Sequence, residues 1–191
     1  MQSLAQAILR LTGWQISGEF PNIPKYILVG APHTTNWDFP LAMLLMFGSG
    51  KRFNWIAKAS LFRWPFGGLM RSMGGVPVER STTTNFVAQT VDMLNKATQL
   101  VVAISPEGTR SRVTRWKTGF YYMAMGANIP IVMGFVDYKR KQVGVGPVLH
   151  PSGDIEADFA VLREFYSQKT GKYPDKHGAI EVQKDKTAPP A

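Results

Sequence analysis

At 191 residues, 45% of them apolar and 18% charged, the chain is long enough for one sizeable core, short for two, and too apolar to be disordered as a whole. It contains no cysteine, which excludes disulfides, thiolate metal sites and a cysteine nucleophile. The net charge of +9 is uneven: residues 1–150 carry 16 basic and six acidic side chains, and residues 151–191 carry six and seven, so the body presents a positive field suited to nucleic acid, an anionic membrane surface or phosphate-bearing small molecules.

Leu4, Ile8, Leu11 and Trp14 recur at helical spacing and predict a short amphipathic helix, docked on the core or lying in a membrane interface with Trp14 at headgroup level. No signal peptide is expected here, because the only Arg sits at position 10, inside the apolar pattern. The longest apolar run, Phe39 to Phe47, is well short of the ~20 residues that span a bilayer. After the turn-rich stretch Gly18 to Pro24, β-rich runs at Tyr26–Val29, Phe53–Ala57, Val76–Val78, Leu100–Ile104 and Ile129–Val136 alternate with helical patterns near 37–47, 61–73, 84–97, 115–127 and 154–168. Such alternation predicts a single α/β domain over residues 1–170, with a mostly parallel mixed sheet flanked by helices. The last helix is the clearest, with Ile155, Phe159, Leu162 and Phe165 on one face. Residues 171–191 combine Gly, Pro and mixed charge without periodicity and are expected to form a flexible tail.

His33 and Asp38 fall where the strand ending at Gly30 gives way to a helix. Pro40 is tolerated only in a first helical turn, so the helix should begin near Trp37 and carry Asp38 in that turn. Folded back, Asp38 can accept the imidazole N–H and leave the other ring nitrogen as a base, the logic of a serine-protease triad with the substrate's own hydroxyl as nucleophile. Taken alone, this spacing is more often a helix cap beside a structural histidine. A second segment, Ser105-Pro106-Glu107-Gly108-Thr109-Arg110-Ser111, follows the strand Leu100–Ile104 directly. Ligands of α/β sheets collect at strand carboxyl ends, where this turn would present backbone N–H groups and Arg110 to a phosphate, with Glu107 orienting it or holding the substrate hydroxyl.

With both segments in this order, the chain resembles the glycerolipid acyltransferase family, typified by lysophosphatidic acid acyltransferases. That family's first motif, N-H-x-x-x-x-D, corresponds to Pro32-His33 through Asp38, and its third, F-P-E-G-T-R-S, to Ser105 through Ser111. The second is matched by Lys58-Ala59-Ser60-Leu61, Pro65-Phe66-Gly67 and Gly74-Gly75-Val76-Pro77-Val78-Glu79-Arg80, and the fourth by Ile129-Pro130-Ile131-Val132. The resemblance spans roughly residues 25–137. It implies His33 as general base, Asp38 as its orienting partner, and Arg80, Glu107, Gly108, Thr109 and Arg110 around the acceptor's polar head. It further implies transfer of a fatty acyl group from acyl-CoA or acyl carrier protein to the hydroxyl of a lysolipid, first of all 1-acylglycerol 3-phosphate. No metal or cofactor is expected, since a thioester is already activated. The partners implied are the lysolipid, the acyl donor and an anionic membrane surface, with no nucleic acid, and the protein is expected in the cytoplasm at that surface.

Pro32, Ser105 and Met133 depart from the family pattern, which has asparagine, phenylalanine and often proline there. These departures remove no proposed catalytic group and leave open another lysolipid as acceptor, by acylation of a lyso-aminolipid or phospholipid remodelling; a non-catalytic membrane-binding module of the same fold is a separate alternative, against which the intact His33 and Asp38 argue. Arg110, Arg112, Arg115, Trp116 and Lys117 form a basic stretch past the third motif, and Lys139-Arg140-Lys141 is expected in a hairpin. Trp55, Phe62, Trp64, Phe66, Tyr121 and Tyr122 are candidates for an acyl tunnel, although aromatics near helices are more commonly core.

Overall fold

The computed structural model describes residues 1–78 and 83–183. Its helices are α1 (Gln2–Leu11), α2 (Asp38–Ser49), α3 (Gly67–Ser72), α4 (Thr83–Lys96), α5 (Gly119–Ala127) and α6 (Ile155–Ser167). The strands are β1 (Gln15–Ser17), β2 (Lys25–Ala31), β3 (Asn54–Lys58), β4 (Gly75–Val78), β5 (Leu100–Ile104), β6 (Ile131–Asp137) and β7 (Gln142–Leu149). Among the described residues these strands form one sheet in the order β1-β7-β6-β2-β5-β3-β4. All neighbours are parallel except β6 and β7, a hairpin whose turn holds Lys139, Arg140 and Lys141. The α/β architecture with a mostly parallel mixed sheet is therefore the one the alternating pattern predicts.

Strand β2 is central, with Ile27 opposite Val102 of β5 on one side and Ile131 of β6 on the other. Alternate residues of β2 face opposite layers, as strand geometry requires. Ile27, Val29 and Ala31 join Val102, Met133, Leu94 of α4, Phe120 and Met123 of α5, and Phe159 and Leu162 of α6. Tyr26 and Leu28 instead join Met43 and Met46 of α2, Trp55 and Phe62. Helix α1 completes that second layer through Leu9, which packs with Leu41 and Leu45 of α2.

The structure departs from the sequence expectation in four places, each with a physical cause. The helix expected over 61–73 is split into a 3-10 turn, Ala59–Phe62, and α3, because Pro65 between them removes a donor and clashes with a preceding turn. The helix expected from 115 begins at Gly119; Trp116 is instead drawn into a bridge with Val182, its N–H donating to Glu181 O at 2.9 Å and its carbonyl accepting from Gln183 N at 3.1 Å. The same bridge anchors part of the segment expected to be loose, in which Ile180 is buried. Residues 184–191 lie outside the described residues. Strands β1 and β7, which the pattern does not single out, close one side of the sheet. Gly144 permits their pairing, since a Cβ there would run into the Ser17 carbonyl.

Candidate active site

Strands β2 to β6 run parallel, so their carboxyl ends share one edge. The loop with His33 leaves β2 at that edge, the Ser105–Ser111 segment leaves β5, and Tyr138 leaves β6. Topology alone thus brings together residues far apart in sequence.

Helix α2 starts at Asp38, as Pro40 in the first turn dictates. Its buried carboxylate turns back over the preceding loop, where Oδ2 accepts from Thr34 N at 2.9 Å and Thr35 N at 3.0 Å. The same oxygen lies 3.0 Å from His33 Nδ1. An ionised carboxylate can only accept, so Nδ1 carries the proton and Nε2 the lone pair. The second oxygen, Oδ1, accepts from Tyr138 OH at 2.8 Å. With four donors converging on it, the carboxylate is fixed in place, and the imidazole with it. The His33 side chain keeps 30% of its surface exposed, enough for a substrate to approach.

Glu107 meets this loop from the other strand. Its carboxyl is buried, and Oε2 accepts from the His33 backbone N–H at 2.6 Å, with Ser105 Oγ at 3.5 Å. Sequence alone offers Glu107 to the acceptor's head; the structure commits one of its oxygens to the main chain of His33. Gly108, at φ 66°, reverses the chain after Glu107, its N–H donating to Ser105 O at 3.2 Å. Thr109 and Arg110 are exposed on the same turn, and Lys117 packs against Gly108. Arg80 lies outside the described residues.

Burial pushes the Glu107 carboxyl up to about 7, against the opposing pull of the His33 N–H and the His33 ring. The folded protein then binds this proton more tightly than the unfolded chain does. The stabilising effect is complete below about 4.5 and is lost as pH rises through about 7. Full ionisation costs about 3 kcal/mol, so a Glu107→Gln variant, which keeps an oxygen for the His33 N–H, is expected to lose that component of the pH dependence. Thermal melts at pH 5 and pH 8 check this: the drop between them should be smaller in the variant by about 5 °C or more. An equal drop in both proteins would mean that Glu107 stays ionised throughout.

Sequence reasoning missed Tyr138, Thr34 and Thr35 at this site. A strap from residue 170 also crosses the loop: Tyr173 N donates to Thr34 Oγ1 at 3.3 Å, and Lys172 Nζ lies 5.5 Å from the centre of the Trp37 ring. The aromatics considered for a tunnel divide differently from expectation. Trp55, Phe62 and Tyr121 are buried in the two cores, whereas Trp64 is 93% and Phe66 62% exposed.

A family model described as Acyltransferase matches residues 16–133, more than half of the chain and the whole of this constellation up to β6. The chain belongs to the acyltransferase family. Its fold is shared with the crystal structure of the 1-acyl-sn-glycerophosphate (LPA) acyltransferase, PlsC, from Thermotoga maritima, at a TM-score of 0.63 and 16% identity over 87% of this chain and 77% of that one. No curated protein sequence matches the chain. As an acyltransferase, the protein handles an acyl donor and an acceptor, and at the edge where such ligands collect it joins a histidine to a fixed carboxylate.

Proposed function

We propose that this acyltransferase moves a fatty acyl group from acyl-CoA or acyl carrier protein to the hydroxyl of a lysolipid, 1-acylglycerol 3-phosphate first, at the cytoplasmic surface of a membrane. The observation that carries this reading is the 3.0 Å contact of His33 Nδ1 with a buried Asp38. His33 Nε2 takes the proton of the acceptor hydroxyl as its oxygen attacks the thioester carbonyl. The tetrahedral intermediate collapses with breakage of the C–S bond, and the leaving thiolate receives the proton from His33. Asp38 stabilises the imidazolium between those steps.

Arg110, exposed at the turn after Glu107, and Arg80 are the residues that hold the acceptor's phosphate in this scheme. The acceptor named for the Thermotoga maritima protein of the same fold supports that choice. The membrane assignment rests on the lipid acceptor and on a net charge of +9; among the described residues, no helix is long and apolar enough to cross a bilayer.

The purified protein, offered mixed lysolipids and acyl thioesters with products read by mass spectrometry, should acylate 1-acylglycerol 3-phosphate in preference to lysophospholipids with larger headgroups. Absence of any acylated product sinks the reading, and preference for another lysolipid moves the acceptor. Arg110→Ala should raise KM for the phosphorylated acceptor at least about tenfold, the worth of one charge-assisted hydrogen bond, with the donor's KM unchanged. An unaltered acceptor KM would remove Arg110 from the phosphate site.

A further inference from the structure

Between β3 and β4 the chain forms a knuckle, made of the 3-10 turn Ala59–Phe62, the Trp64–Pro65 pair and α3. Its underside is firmly packed. Phe62 is 5% exposed and stacks on Trp55 at 5.7 Å, Arg71 Nη1 donates to Phe62 O at 3.4 Å, and Gly67 N donates to Arg63 O at 2.9 Å. Its outer side is the reverse of what a soluble surface requires: Leu61, Trp64, Phe66 and Leu69 are 56, 93, 62 and 54% exposed within nine residues. Isolated exposed apolar side chains are ordinary, but four large ones on a rigid projection mark a surface that something covers.

The charges around the knuckle identify the occupant. Arg63 and Arg71 flank the apolar side chains and are exposed, as are Lys51 and Arg52 in the loop leading into β3. No acidic residue occurs between Asp38 and Glu79. Tryptophan, phenylalanine and leucine rimmed by arginine and lysine, with no carboxylate among them, fit the boundary between acyl chains and anionic headgroups. A protein partner would leave such a one-signed rim matched only by an equally acidic surface. The knuckle is also tied to the site: Phe39, the residue after Asp38, packs edge-on against Trp55 at 4.6 Å, and Trp55 rests on Phe62.

We propose that residues 61–71 form a wedge that inserts Trp64 and Phe66 into an anionic bilayer and seats the α2 side of the protein on it, beside the His33 edge. The wedge rests on the lipid-acceptor reading for its purpose, but its binding is measured without turnover. In flotation assays the protein should bind vesicles of phosphatidylcholine mixed evenly with phosphatidylglycerol more tightly than vesicles of phosphatidylcholine alone. The double variant W64S/F66S should bind the mixed vesicles at least about tenfold more weakly at an unchanged Tm. Arg63→Ser should weaken binding to mixed vesicles roughly fivefold and leave binding to phosphatidylcholine unaltered. Turnover of a monomeric short-chain lysolipid should be the same in parent and variants.

Parent-like vesicle binding by W64S/F66S overturns the wedge, as does a parent that floats with neither vesicle. A concentration-dependent dimer that W64S/F66S dissociates, seen by sedimentation, assigns the patch to a second copy instead. If vesicle binding follows the expected pattern but no lysolipid is turned over, the lipid-acceptor reading fails and the docking surface stands. The opposite pattern fails the wedge and leaves the chemistry.

Discussion

Replacing His33 by alanine is expected to lower kcat for acyl transfer at least about 100-fold, the usual worth of a positioned general base, with little change in KM or in Tm. The structure explains why the loss should be so selective. The bond from the loop to Glu107 is made by the His33 backbone N–H, which alanine retains. Asp38 keeps three of its four donors, Thr34 N, Thr35 N and Tyr138 OH, so the loop and the start of α2 stay in place. What is removed is one donor to Asp38 and the capacity of Nε2 to take a proton. Steady-state kinetics with the product identified by mass spectrometry decide the matter, and a variant within a few-fold of the parent would falsify the assignment of His33 as base. A large rise in KM at constant kcat would instead mean that the ring binds substrate without taking its proton.

The parts of this architecture that could be read in the sequence are those whose causes are local. Strands β2, β5 and β6 are buried in the middle of a parallel sheet, and such strands read as continuous apolar runs; Leu100–Ile104 has the same bounds in the pattern and in the fold. Asp38 is five residues from His33, and a helix start fixed by Pro40 is enough to bring them within reach. Strand β1 is three residues long, and β7 is interrupted by Gly144, Gly146 and Pro147, so neither produces a periodic signal. Tyr138 reaches Asp38 across 100 positions, and Glu107 reaches His33 N across 74. Nothing in either local sequence announces those partners, because the order of strands in the sheet creates them. Exposure was likewise hidden: Phe62 and Trp64 are two residues apart in one aromatic run, yet one lies in the core and the other faces out.

The spacing of His33 and Asp38 is shared by a catalytic pair and by an ordinary cap of a helix start, and a pair of Asp38 variants separates the two roles. In Asp38→Ala the N–H groups of Thr34 and Thr35 and the Tyr138 hydroxyl lose a buried acceptor together. Orphaned buried donors cost about 1–3 kcal/mol each, and water entering the vacated space offsets part of this. The expected net loss is about 3 kcal/mol, or about 6–12 °C in Tm for a chain of this size. Asp38→Asn preserves the shape. Its amide oxygen can take the Thr34, Thr35 and His33 donors, while its NH2 group faces Tyr138, whose hydroxyl can accept as well as donate. The fold should therefore lose only about 1 kcal/mol, yet the negative charge that stabilises the imidazolium is gone, and kcat should fall on the order of 100-fold. A cap predicts the same modest loss of Tm for this variant but a rate close to the parent's. Differential scanning calorimetry and kinetics on the same two preparations distinguish them, because a carboxylate that merely closes the loop has no reason to appear in kcat once its shape has been kept.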